Sequence, residues 1–357
     1  MGSKPCEQEA KEIDSIAGSL DAANPRHSAA VHRLVAPRIL AVGPIPSNGL
    51  VLLQTFLQHS SRALLMSDSF RPSRREFLQA TAAGVGALAV APLISTAHGA
   101  DGAKDPYAGL KMGIQSYSLR GYKDPKVALE HTKKLGLKYW ESFPAHVPVN
   151  SVPKTLQEQK AMLKDAGVEL VAYGVLGFDG NETTARQYFE FAKAIGISSL
   201  SADPKKNKET FDLLDKLVAE YDVAIAIHNH GPGAMYDKIS DVETWVKDRH
   251  PKIGACVDTG HYLRSDEDPV EAIERLGKRV FGVHLKDVKT IDNGGKREKK
   301  FTIAGEGDLK VLECLKALKK LNYQYCLAIE YEENPQNPLA DIEACLKHVR
   351  EQAAKLA

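Results

Sequence analysis

From residue 101 onward the chain alternates short apolar runs with amphipathic segments, eight times over, and this alternation restricts its fold more than any other feature. Runs at 112–117, 139–143, 169–174, 198–202, 224–228, 253–258, 280–286 and 326–331 have the length and apolar content of buried strands. Segments at 127–135, 156–166, 184–194, 211–220, 241–247, 269–275, 309–318 and 342–355 instead repeat apolar residues every three or four positions, as in Phe211, Leu214, Leu217 and Val218. Gly136, Gly167, Gly196 and Gly277 stand where helices should stop before the next strand. Strict βα alternation implies an α/β fold with a parallel sheet. Eight units in roughly 250 residues imply a closed (β/α)8 TIM barrel over 101–357 rather than a doubly wound open sheet. No GxGxxG follows the first strand, which weighs against a dinucleotide domain.

The preceding hundred residues read differently. Ser73–Leu78 spell S-R-R-E-F-L, a twin-arginine signal, followed by a Gly/Ala-rich apolar stretch and small residues up to Ala97 and Ala100. Pro92 and the small side chains make that stretch a poor membrane span. Residues 66–100 are therefore expected to be an export signal starting at Met66, engaging the twin-arginine machinery and delivering the protein to the periplasm or outside. Residues 1–65, with scattered prolines and no sustained period, are expected to be a disordered extension or the product of a misplaced start codon.

Composition excludes several function classes. With 47 Lys and Arg against 46 Asp and Glu, the net charge of +1 offers no basic surface for nucleic acid. Five cysteines without a CxxC pair argue against a disulfide framework or zinc ribbon, and Cys256, Cys314, Cys326 and Cys345 fall in apolar stretches as buried free thiols would. A homo-oligomer is compatible with this composition.

In a barrel of this kind, chemistry collects at the C-terminal ends of the strands. The polar residues of this chain fall there: Gln115-Ser116-Tyr117, Glu141, Asp203, His228-Asn229-His230, Asp258-Thr259-Gly260-His261, His284-Leu285-Lys286-Asp287 and Glu330-Tyr331-Glu332. Side chains alternate along a strand, so His228 shares a side with His230 and His284 with Lys286. His131, His250 and His348 fall in helical or connecting segments, whereas His146, after strand two, could reach the mouth. Imidazoles and carboxylates converging from neighbouring strands suit a catalytic divalent ion, and burying such groups unpaired would be costly.

D-T-G-H at 258–261, H-L-K-D at 284–287, G-E-G-D-L at 305–309 and I-E-Y-E at 329–332 together resemble the xylose isomerase-like TIM barrel superfamily, the sugar phosphate isomerase/epimerase group, over residues 110–350. The resemblance implies one divalent ion, manganese first and magnesium, cobalt or zinc as alternatives, held by His228, Asp258, His284 and Glu330. Glu330, Lys286, His261 and Glu141 are the expected catalytic residues, Lys286 and Glu141 from their barrel positions, and His230, Gln115 and Glu332 the expected substrate-binding residues. The group's fifth-strand tripeptide is usually E-N-H, whereas this chain reads H-N-H. A ligating imidazole does not replace the first of two bases, so metal binding survives the change and two-base epimerisation does not follow from it.

The resemblance therefore leads to an enzyme that removes a proton beside the carbonyl of a sugar or keto-sugar, an isomerase or epimerase by group. The alternatives are a 3-keto-glycoside lyase on the same site and a non-catalytic periplasmic sugar-binding barrel. Lys286 would stabilise a developing enolate. Gly305-Glu306-Gly307 reads equally well as a substrate-wrapping loop or a plain glycine turn. A DNA-repair endonuclease on this barrel would need further ligands on strands two and three, and strand three offers no His, Asp or Glu after Val171.

Overall fold

The computed structural model describes residues 105–356, so the expected extension at 1–65 and export signal at 66–100 lie outside the described residues. Eight parallel strands close into a barrel: β1 Lys111–Gln115, β2 Tyr139–Ser142, β3 Glu169–Phe178, β4 Ser199–Pro204, β5 Ala224–His228, β6 Ile253–Asp258, β7 Val280–Leu285 and, after an inserted hairpin, β10 Cys326–Ile329. β10 pairs with both β1 and β7, which seals the sheet and leaves no edge. The expected (β/α)8 barrel is the observed fold.

Helices follow the strands: α1 Pro125–Lys134, α2 Pro153–Ala166, α3 Glu182–Ile195, α4 Lys208–Tyr221, α5 Ile239–Val246, α6 Thr259–Arg264, α7 Pro269–Leu276, α8 Val311–Lys320 and α9 Leu339–Ala353. Several begin two or three residues before the expected start. Asn181 and Asn207 cap α3 and α4 by accepting from Thr184 and Thr210, and the first turn after such a cap is too exposed to show in apolar periodicity. Gly167 and Gly196 end α2 and α3 in the left-handed conformation, at φ 67° and 98°. At Gly277 the chain enters a 3-10 turn instead, and α4 ends on Asp222 in the left-handed region, where no glycine marks the stop.

Two elements had no counterpart in the apolar pattern. One is the six-residue helix α6, directly after β6. The other is an antiparallel hairpin, β8 Asp287–Asn293 and β9 Lys296–Thr302, inserted between β7 and α8. Its strands are largely exposed and rich in lysine, so they carry none of the apolar content by which buried strands are recognised.

The main core lies between barrel and helices. Ile225 and Ile227 on β5 point into it fully buried, each contributing about 1.5–3 kcal/mol. The opposite face of β5 carries Ala224 and Ala226, which pack with Cys256 and Phe281 inside the barrel. Alternation then places His228 as the last inward residue of β5 and Asp258 as that of β6, above a floor of small side chains.

Candidate active site

His228, Asp258, His284 and Glu330 come from four neighbouring barrel strands or their first following residue, and each offers a donor atom within 4.8 Å of the others. Nε2 of His228 is 3.1 Å from Nδ1 of His284 and 3.4 Å from Oδ2 of Asp258. Nδ1 of His284 lies 3.0 Å from Oε2 of Glu330 and 3.8 Å from Oδ2 of Asp258. Donors about 2.0–2.2 Å from a shared ion stand roughly 3–4.5 Å from each other, so the spacing suits a single divalent ion. The donor atoms also fit: Oδ2 of Asp258 and Oε2 of Glu330 are buried and meet the imidazoles of the same cluster. Two imidazoles and two carboxylates form the mixed nitrogen and oxygen set that such ions take.

Local structure holds these donors in place. Asn229 accepts from the Asp258 backbone N–H at 2.8 Å and donates to the Asp258 carbonyl at 3.0 Å, tying the end of β5 to that of β6. Thr259 accepts from the Lys286 backbone N–H at 2.9 Å and reaches the Lys286 carbonyl at 2.7 Å, tying β6 to β7. The other oxygen of Asp258 caps α6 through the backbone N–H of His261 at 2.8 Å, which leaves Oδ2 for the cluster. Asn229 and Thr259 sit inside the H-N-H and D-T-G-H motifs, and their clamping role is visible only once the strand ends are adjacent. Gly260 is required by close approach: a Cβ there would lie 2.7 Å from the Lys286 side chain.

Lys286 is almost wholly buried, with its ammonium 3.0 Å from Oδ2 of Asp258 and 3.1 Å from Oε2 of Glu330. It also contacts a carboxylate oxygen of Glu332 and stands 3.4 Å from Nε2 of His261. Burial alone would raise the Asp258 and Glu330 carboxyls, but Lys286 and the adjacent imidazoles outweigh it and hold both well below the usual carboxylate range. For His261, burial comes first and the neighbouring cation Lys286 second; together they keep the ring neutral far below its ordinary range. His230 packs edge-on against His228, and burial followed by His228 and Lys286 lowers its pKa to about 3.

The remaining expected site residues take other places. Glu141 is wholly buried on the far side of His284, with Oε2 3.0 Å from Nε2 of that ring, a close contact rather than an aligned hydrogen bond. The imidazole stands between Glu141 and the donor cluster. Gln115 spends its amide on the backbone, accepting from Tyr117 at 3.2 Å and reaching the Gly174 carbonyl at 3.4 Å. These contacts hold the turn after β1. His146 stacks on Trp140 and contacts the Tyr122 carbonyl at 2.9 Å, away from the cluster. Glu332 stays beside Lys286, at the rim.

Asp287 and the glycine loop form one structural unit. The buried Asp287 carboxylate accepts from the backbone N–H groups of Gly305, Gly307 and Leu309 at 2.9, 3.1 and 2.9 Å. Gly305-Glu306-Gly307 is a turn folded around an aspartate. The hairpin that follows β7 brings in Phe301, whose ring is 5.6 Å from His261 and 5.0 Å from the Lys286 ammonium. No sequence signal marked Phe301, because it stands alone after a run of charged residues, Lys296–Lys300.

Comparison with known proteins agrees with this architecture. The family model for the xylose isomerase-like TIM barrel matches residues 129–352, and the chain belongs to that family. An inosose dehydratase of Clostridium botulinum is 31% identical over 155 residues, which is 40% of this chain and 52% of that protein. The chain thus spans about half the length of the first curated relatives it matches. A protein of Parabacteroides distasonis of known structure has a TM-score of 0.53 at 26% identity, covering 68% of this chain and 98% of that one. The IolI protein, solved with a binding zinc atom, has a TM-score of 0.54 at 17% identity over 69% of this chain and 99% of that one, a likeness of fold.

Proposed function

We propose, with membership of the xylose isomerase-like TIM barrel family as the premise, that the chain holds one divalent ion and removes a proton beside the carbonyl of a sugar or keto-sugar. The observation that carries this reading is the convergence of His228, Asp258, His284 and Glu330, with donor atoms within 4.8 Å of one another. Manganese is the first candidate, with magnesium, cobalt and zinc behind it. The ion would supply Lewis acidity at the carbonyl oxygen.

The chain's own residues would do the rest. Lys286 would stabilise the negative charge that develops on the carbonyl oxygen, the kind of preorganised electrostatics that often dominates catalysis. Glu330 and Glu332 are the carboxylates at the mouth. Glu332, outside the donor set, would accept the proton, a step worth about 10²–10⁴-fold. His261 and His230, kept neutral, would hydrogen-bond the substrate hydroxyls.

His228 stands where the group carries a carboxylate, which leaves this site one base rather than two. That favours β-elimination over two-base epimerisation. The C–H pair becomes the new C=C bond, the adjacent C–O bond breaks, and the proton taken by Glu332 ends on the leaving oxygen as water or an alcohol. The inosose dehydratase relatives lend support to elimination from a keto-polyol. Export belongs to the same proposal: lysine in place of Arg74 and Arg75 should hold the chain in the cytoplasm.

The test is NMR in D₂O on the manganese-loaded protein with a panel of ketoses and 3-keto-glycosides. Deuterium entering beside a carbonyl is the expected result, and the product separates epimer from alkene. A fully loaded protein that binds sugars yet neither exchanges nor converts any of them would be a binding barrel.

A further inference from the structure

Arg264, at the end of α6, is held as a receptor held for a ligand would be. Among the described residues its guanidinium has one hydrogen-bond partner, Nδ1 of His261 at 3.1 Å, and no carboxylate within ion-pair reach. The other half-buried arginines are satisfied. Arg186, Arg249 and Arg350 reach carboxylates, while Arg120 and Arg279 donate to backbone carbonyls.

The group is packed against a ring and a glycine. Its carbon lies 5.2 Å from the centre of the Phe301 ring. A Cβ on Gly231 would lie 2.9, 3.0 and 3.3 Å from Cζ, Nη1 and Nε, near-equal distances that place the Gly231 backbone over the plane of the guanidinium. Its one hydrogen bond is from Nη1, so Nη2 and Nε donate to none of the described residues, and a guanidinium edge is the geometry that takes two oxygens at once.

The position suits a substrate end. Nδ1 of His261 meets Arg264, and Nε2 of the same ring is 3.4 Å from the Lys286 ammonium. One imidazole and two contacts of hydrogen-bond length therefore separate Arg264 from Lys286, a span comparable to a six-membered sugar ring. We propose that Arg264 binds an anionic oxygen group, carboxylate or phosphate, at the end of the sugar remote from the reacting carbonyl, so that the substrate class is an acidic keto-sugar. This rests on the reading of the site as a sugar-converting centre.

Calorimetric titration of the full chain with D-glucuronate, glucose 6-phosphate and D-glucose tests it, with deuterium exchange read on the same samples. At least one anionic probe should bind about tenfold or more tighter than glucose, as hydrogen bonds to a charged group allow. Whichever anion gains identifies carboxylate or phosphate. Arg264→Gln should bring the ratio close to one, and Arg264→Lys should keep part of it. Gly231→Ala leaves the arginine in the chain but pushes its flexible end aside, so it should shrink the ratio as well, and thermal unfolding of each variant reports folding. A wild-type protein without an anionic advantage, or an Arg264→Gln protein that keeps one, overturns the inference. An anionic advantage that depends on Arg264, with no deuterium exchange on the ketose and 3-keto-glycoside panel, upholds it and removes the proposed reaction. Exchange with equal binding of all three does the reverse.

Discussion

Oε2 of Glu141 stands 3.0 Å from Nε2 of His284, while Nδ1 of the same ring stands 3.0 Å from Oε2 of Glu330. The imidazole therefore has a buried carboxylate behind it and the donor cluster in front. A carboxylate in that rear position orients a ligating ring and raises its basicity. Burial opposes a charged imidazole at His284, yet Cys256, Glu141 and Glu330 beside it outweigh burial and raise its pKa well above the ordinary range.

Glu141→Gln should accordingly weaken divalent-ion binding by about 10–100-fold while leaving the barrel folded, because the amide keeps the volume and loses the charge. Competition with a chromogenic chelator reads the affinity directly. Equal affinity in wild type and variant would reduce Glu141 to a packing residue.

Ion binding should release protons. A His284 that is protonated in the ion-free protein must give up its proton to ligate, so the apparent affinity should fall as pH is lowered, by about tenfold per unit for each proton displaced. Chelator competition at pH 8 and pH 6 measures the slope. A flat profile would mean that His284 is already neutral.

Asp258→Ala should abolish the roughly one equivalent of ion expected of a mononuclear site, measured by elemental analysis. Lys286→Met should keep the ion, since it removes a competing cation and no ligand, and should lower turnover by about 10²–10³-fold. Full ion content in Asp258→Ala, or full turnover in Lys286→Met, would contradict these assignments.

Acid should destabilise the protein through His146. Burial lowers its pKa to about 4, from an unfolded value near 6.5. Between those values the unfolded chain binds the extra proton, so stability is fully present above about pH 6.5 and is lost as pH falls towards 4. The linkage amounts to about 2 kcal/mol between pH 7 and pH 5. Urea unfolding of His146→Gln should show a pH dependence smaller by that amount; an unchanged slope would place the titration elsewhere.

Asp287→Asn should cost about 2–4 kcal/mol, because one oxygen that accepts backbone N–H groups becomes an NH₂ facing donors. Equilibrium urea unfolding gives the value, and an unshifted midpoint would show that the loop folds without the carboxylate.

The barrel was legible in the sequence because its physics is periodic. A strand buried on both faces must be short and apolar, and a helix lying on it must repeat apolar residues every three or four positions. The same regularity places His228, Asp258, His284 and Glu330 at strand ends, so their convergence needed only that the sheet close. The tertiary structure alone decided what surrounds them. Glu141 stands as far along its strand as a substrate-facing residue would, and only the neighbouring His284 ring shows that it stands behind the cluster. Asp287 reads like the other acids of the strand ends until the backbone of Gly305, Gly307 and Leu309 folds onto it. The hairpin that carries Phe301 and the helix end that carries Arg264 left no apolar period to read. Their positions depend on contacts between segments far apart in the chain, which local pattern does not encode.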